Sequence, residues 1–420
     1  MNRQKLCSPR YGHQTTLTVT LAVVLLGLHV TTNGLVPAAE LPPESVSAAL
    51  NDDKLFTPVT HPESGVTVYV LTHRVAPLQK GFYFVNDSMS ADGRYLWFCC
   101  AWPPSLVKTL AVIDFVTREV RHFPETQFSA ESPFVDVQTG EVYWCVGNGV
   151  WRRGPNPEDE ASLVNELPAE LVGGRKVDRL ATHLTRSADG NEFFIDARVG
   201  LQHIFGSLPV DGGDFKLWWR FDRNYNHAQF SPTDADEVLF AEENHSDPIT
   251  GLRLPITNRM WLIRRGQAPR PVFAQPRVVT HEWWDADGKH LWCVRGNETW
   301  RVRAADGEVE KILFPRHCWH SHSTRDGRLI VGDSNNRFYR GCASTVHFLD
   351  RDTGKVITLV ENPERHDYAG RNYHIDPHPR FVGNERYVVF TTTVRCQVDL
   401  AIVPTAELVK KTQPQNRAPN

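Results

Sequence analysis

The chain has 420 residues, of which 41% are hydrophobic, and its 46 Lys and Arg stand against 49 Asp and Glu for a formal net charge of −3. That length can bury a large core, and the near balance of charge leaves no basic field to draw in nucleic acid. Net charge therefore singles out no class of partner.

The first predicted element is a leader. Residues 1–14 (MNRQKLCSPRYGHQ) are basic, residues 17–30 (LTVTLAVVLLGLHV) are apolar over the length of a signal-peptide core, and small residues follow for cleavage near Ala38. The apolar run is short for a bilayer span of roughly 20 residues. Residues 1–39 are therefore read as a signal peptide, and the mature protein as periplasmic or secreted with no stable membrane span; an uncleaved anchor is the alternative. Cys7 precedes the apolar run, where it is poorly placed for lipid anchoring. Beyond the leader stand Cys99, Cys100, Cys145, Cys293, Cys318, Cys342 and Cys396, an odd and scattered set with no CxxC pair. This spacing argues against a disulfide framework and against a zinc-thiolate site.

From about residue 50 one pattern recurs: a short polar turn, often containing Asp-Gly, followed by a strand-like run. It occurs at residues 90–100 (SADGRYLWFCC), 138–146 (QTGEVYWCV), 187–196 (SADGNEFFID), 231–243 (SPTDADEVLFAEE), 285–294 (DADGKHLWCV), 324–333 (TRDGRLIVGD) and 381–392 (FVGNERYVVFTT), seven copies in all. Interleaved with these are strand-turn-strand runs such as VIDFVTREVRHF (112–123), VRAADGEVEKILF (302–314) and FLDRDTGKVITLV (348–360), which read as hairpins. Two hairpins per unit make a four-stranded blade, and seven blades in a ring make an all-β, seven-bladed β-propeller over residues 50–408. A long β-sandwich, or two of them, is the alternative. Residues 158–170 are the best helical stretch, broken by Pro168, and read as an insertion. Residues 409–420 read as a disordered polar tail.

Propellers hold ligands on the axis, and histidines gather ahead of the strand-like runs in the second half. His227 precedes AQFSP; His281 lies in THEWWDADG; His317, His320 and His322 lie in RHCWHSHSTRDG; His374 and His378 lie in RNYHIDPHPRF. In four successive repeats a histidine stands roughly 4 to 9 residues ahead of the turn, so equivalent positions on neighbouring blades converge on the axis. If residues 373–378 are extended, His374, Asp376 and His378 face one way. Imidazoles with a carboxylate and no thiolate suit a divalent ion such as Mn²⁺, with Zn²⁺, Ca²⁺ or Mg²⁺ as alternatives. Arg198, Arg220, Arg223, Arg259, Arg371 and Arg380 add guanidinium groups suited to carboxylates, and Trp218, Trp219, Trp283, Trp284 and Trp319 are read as packing between blades. No GxSxG elbow and no glycine-rich phosphate loop leading into a helix occurs.

Taken in order, NHAQFSPTD (226–234), NRMWLI (258–263), THEWW (280–284), CWHSHSTRDGRLIVGD (318–333) and DPHPRF (376–381) with VVFTT (388–392) resemble the oligogalacturonate lyases, polysaccharide lyase family twenty-two. The likeness covers residues 226–404. It implies a seven-bladed propeller that cleaves short pectic oligomers with Mn²⁺ by β-elimination. The family's Thr-His-Glu-aromatic-Trp ligand histidine matches His281. In its Gln-x-x-His-x-His-Pro segment the second histidine matches His378, while the first falls on Asp376 and the glutamine on Tyr373, with His374 able to reach from the same face. His227 resembles an active-site histidine of the family, and His320 matches another. The implied reading is a metal-dependent lyase on uronate oligosaccharides. In it His281, His374, Asp376 and His378 hold the metal, His227 or Arg198 acts as base, and His320, Arg220, Arg259 and Arg380 bind substrate. A non-catalytic propeller that binds oligosaccharide or protein, and a metal-dependent hydrolase or lactonase, remain open.

Overall fold

The computed structural model describes residues 43–129, 133–247, 249–314, 318–334, 343–363, 373 and 375–414. The expected leader, residues 415–420 of the expected tail, Cys342, Arg371 and His374 lie outside these. The described residues belong to one compact unit, and among them no helix is long and apolar enough to cross a membrane.

Seven antiparallel sheets stand in a ring and form a seven-bladed β-propeller. The axial strands are Leu78–Lys80, Phe134–Val135, Val177–Arg179, Tyr225–Phe230, Thr280–Trp284, His320–Ser323 and Arg380–Val382. Each of the seven repeated turns joins an axial strand to the second strand of its blade: Tyr95–Ala101, Val142–Val146, Glu192–Val199, Glu237–Glu242, His290–Arg295, Leu329–Asp333 and Tyr387–Thr392. Glycine is needed at one of them for two reasons. Gly288 has φ 63°, and a Cβ there would meet Thr233 Oγ1 at 1.8 Å.

The ring closes through the N-terminal strands. Thr67–Leu71 pairs with Asp399–Pro404, Tyr69 opposite Ile402 and Val70 opposite Ala401, and Phe56–Thr60 adds a fifth strand outside it. The seam thus joins N-terminal and C-terminal strands in one five-stranded sheet. Blade interfaces are filled by large buried side chains such as Trp97, Trp144 and Trp292, and Trp283 stacks on Trp292 at 5.7 Å. Cys99, Cys100, Cys145, Cys293 and Cys318 are buried, as small apolar groups are, and Cys396 is exposed.

Two boundaries differ from expectation. Residues 158–170 are not a helical insertion: Ser162–Glu166 is the outer strand of the second blade, paired with Gly149–Arg153, and only Ala169–Val172 is helical. Ladder bonds to the third strand outweigh the local preference of an acidic stretch. The chain also stays ordered past residue 408. The helix Thr405–Thr412 buries Leu408 and Thr412, and Thr412 Oγ1 donates to Asp350 Oδ2 at 3.1 Å. At the other end, Val46, Ala49 and Leu50 of the helix Pro43–Leu50 join the core.

One buried group makes the fold acid-sensitive. His203, in the third blade, has its pKa lowered from 6.5 to about 4, first by burial and then by the charges of Arg179 and Arg198. The native state thus holds a neutral imidazole that the unfolded chain would protonate. This contribution to stability is complete above pH 6.5 and is lost as pH falls toward about 4. The limiting slope is about 1.4 kcal/mol per pH unit. Melting curves across that window should show Tm falling with pH, and His203→Gln should flatten the fall.

Candidate metal centre

Five blades each deliver a histidine to the same end of the axis. His227 lies in Tyr225–Phe230, His281 in Thr280–Trp284, and His320 opens His320–Ser323. His378 stands just before Arg380–Val382, and His183 follows Val177–Arg179. Three of them share an uncommon backbone: φ is 54° at His227, 54° at His281 and 49° at His378. The strand register shifts between Asn226 and Gln229 and between Thr280 and Trp283. His227 and His281 are thus bulge residues, released from the strict in-out alternation of their strands. A left-handed conformation costs a non-glycine residue about 1–2 kcal/mol, and its repetition at three axial histidines marks them as held for a purpose other than stability.

Among the described residues, His320, Asp376 and His378 offer ligand atoms that all lie within 4.8 Å of one another. The rings of His281 and His378 lie 4.1 Å and 4.3 Å from that of His320. One carboxylate braces this group. Both oxygens of Asp333 lie near His320 Nδ1, at 3.0 and 3.1 Å. Asp333 also accepts the backbone N–H groups of His320 at 2.8 Å and His378 at 2.9 Å. With its Nδ1 proton directed at Asp333, His320 keeps a lone pair on Nε2. Two imidazoles and a carboxylate, partly buried and free of thiolate, fit a hard or borderline divalent cation with coordination positions to spare. Burial raises the Asp333 pKa, against the pull of His320.

Because Asp333 braces His320 and His378 from two blades, Asp333→Asn should weaken any divalent-cation binding by this group by roughly 10–100-fold. Calorimetric titration with Mn²⁺ measures this; unchanged affinity would mean that Asp333 does not orient the ligands.

Beside this group lies a second, acid-base cluster. His183 and His227 share a hydrogen bond, Nε2 to Nδ1, of 2.7 Å, and His227 Nε2 is 3.6 Å from Glu243 Oε1. Burial, then the neighbouring His183, holds the His227 pKa well below its usual value, so the ring is neutral. Arg259 is paired with Glu243 and forks onto Glu282 at 3.0 and 3.3 Å. Burial opposes its charge, but the two carboxylates prevail and its pKa is raised. On the axis, the Tyr83 ring stacks on His183 at 4.5 Å and lies 4.8 Å from His378. Burial raises its hydroxyl pKa well above the usual value, so it is a neutral phenol.

No family model matches the chain. An oligogalacturonate lyase of Dickeya dadantii (strain 3937) is 26% identical over 194 residues, 40% of this chain and 46% of the relative. The chain thus matches about half the length of that curated relative. A solved oligogalacturonate lyase in complex with manganese superimposes with TM-score 0.65 at 18% identity, covering 84% of this chain and 97% of the other. An oligogalacturonate lyase structure from Vibrio parahaemolyticus gives 0.64 at 16% identity, covering 83% and 96%. The chain shares the seven-bladed fold of these solved lyases.

Within that likeness, the axial end gathers His227, His281, His320, Asp376, His378 and Arg259 from the sequence reading. His320, expected to bind substrate, lies in the metal-capable group. His374 lies outside the described residues. The expected extended run over 373–378 is interrupted by the left-handed backbone at His378, and Tyr373 packs in an apolar cluster with Leu78, Ala101 and Val398. Three arginines sit elsewhere. Arg198 is on the second strand of the third blade, half exposed and 3.7 Å from Asp178. Arg220 is exposed on the outermost strand Lys216–Phe221, hydrogen-bonded to Gln202 at 2.9 Å. Arg380 donates to the Phe84 carbonyl at 2.7 Å and meets His322 Nε2 at 3.0 Å. It lines a cavity of about 250 Å³ with Asp87, Gln229, Trp283 and His322. Ala91, Thr185, Arg325 and Asn384, at or beside the repeated turns, also line it.

Proposed function

We propose that the protein is a divalent-metal-dependent lyase that cleaves uronate-containing oligosaccharides, oligogalacturonides of pectin foremost, by β-elimination. The observation that carries this reading is the convergence of His320, Asp376 and His378 within 4.8 Å, beside His281 and the neutral His227. Mn²⁺ is the proposed ion, on the strength of the manganese in a structurally similar lyase and a donor set that suits it. Bound there, a divalent cation would neutralise a uronate carboxylate and so acidify the C5–H bond.

The residues then divide the work. His227, neutral and only partly exposed, is the proposed acceptor of the C5 proton. As that proton leaves, its electron pair forms the C4=C5 double bond and the C4–O bond breaks with its electrons on oxygen. The departing oxygen ends protonated and His227 returns to neutral, so no water is consumed. Arg259 keeps Glu243 and Glu282 compensated beside the site. Residues 1–39 are proposed to export the protein, placing the reaction in the periplasm or outside the cell.

The test is incubation with oligogalacturonate and Mn²⁺ while following the ultraviolet absorbance of the conjugated product. Appearance of that absorbance supports a lyase. Cleavage without it would point to a hydrolase or lactonase, and no cleavage, with no metal found by elemental analysis, to a non-catalytic binding propeller.

A further inference from the structure

We propose that His183 is a positioning residue that fixes the His227 imidazole in its basic tautomer; this rests on the proton-abstraction reading of His227. The two rings come from adjacent blades, the third and fourth, and their nitrogens are 2.7 Å apart, Nε2 of His183 to Nδ1 of His227. At that separation two neutral imidazoles share one proton. His227 Nδ1 is therefore taken up by His183, and the nitrogen left to meet a substrate proton is Nε2. For Nε2 to hold a lone pair, the shared proton must belong to His227 Nδ1, which donates to His183 Nε2; His183 then carries its own proton on Nδ1.

Two neighbours frame the pair. The His183 ring is clamped face-on against Tyr83, with centroids 4.5 Å apart and planes 9° from parallel. Its partner His227 sits on a bulge whose backbone alone would not dictate the ring's orientation. On the other side, Glu243 Oε1 is 3.6 Å from His227 Nε2, beyond hydrogen-bond range while His227 is neutral. It is close enough to stabilise the imidazolium once the C5 proton arrives, and its own charge is meanwhile balanced by Arg259. The order is base, orienting partner and counter-charge, the arrangement by which a positioned imidazole is made effective.

The experiment uses the full chain with Mn²⁺ and oligogalacturonate. His183→Phe keeps a flat ring against Tyr83 but offers no acceptor, while His183→Gln offers an amide oxygen at about the reach of Nε2. The expected result is a fall in kcat of roughly 10²-fold for the phenylalanine variant, with KM within twofold and most of the turnover restored in the glutamine variant. Nitrogen-proton correlation spectra of histidine-labelled wild-type protein should show His227 protonated at Nδ1. Undiminished kcat in a folded His183→Phe variant, or a proton found on His227 Nε2, overturns the proposal. The spectra decide the tautomer even if the wild type releases no unsaturated product, an outcome that would sink the lyase reading instead.

Discussion

On the proposed lyase reading, replacing His378 with alanine should abolish metal-dependent turnover, lowering kcat/KM on oligogalacturonate by roughly 10³-fold, and a chelator should do the same to the wild type. His378 is buried and within ligand range of His320 and Asp376, so its loss removes one donor and leaves the other two without a closed set. The companion variant His378→Gly separates function from fold. His378 holds φ 49°, a conformation that glycine adopts freely and alanine does not. The glycine variant should therefore be as inactive as the alanine one yet more stable than it, by about 1 kcal/mol. Ultraviolet assays, elemental analysis and denaturant melts of the pair read all three quantities. Retained activity with full metal content in either variant would remove His378 from the site.

The ring of blades was legible because its punctuation is local. Each of the seven polar turns is short and closes between two strands adjacent in sequence, so its chemistry is written within a dozen residues, and the hairpins at 112–123, 302–314 and 348–360 likewise fold on themselves. The histidines at 227, 281, 320 and 378 were visible for the same reason, as each stands at a like offset from a turn. His183 obeys that rule too, four residues ahead of the SADG turn at 187–190, and could have been found by extending it to the third blade. What the sequence hid is what depends on closure of the ring. Asp333 ends a strand-like run and reads as an edge residue, yet closure places it against backbone from both the sixth and seventh blades. Tyr83 follows the first blade's axial strand and reaches histidines of four other blades. Arg198 and Arg220 stand out in the sequence by residue type, a signal that does not report how far a side chain lies from the axis.

Loss of Arg259 should cost the fold several kcal/mol of stability, roughly what breaking a buried ion pair costs. It stands just ahead of the fourth blade's third strand, Met260–Arg264, and ties Glu243 of its own blade to Glu282 in the axial strand of the fifth. Arg259 is 6% and Glu282 1% exposed, so the pair is out of water and Glu282 depends on the guanidinium for compensation. Arg259→Met would leave that carboxylate buried with its counter-charge gone, a loss of about 3–5 kcal/mol. Glu282 adjoins His281, and its carbonyl accepts a bond from Gln229 Nε2 at 2.9 Å, so the disturbance should also reach the metal centre. The double variant Arg259→Met with Glu282→Gln removes the stranded charge and should recover a large part of the stability in denaturant titrations. A substrate-binding arginine behaves differently: Arg259→Met would then raise KM with little change in the unfolding midpoint. The forked contact to Glu282 and the pairing with Glu243 already engage three of its nitrogens, which is why the larger effect is expected in stability.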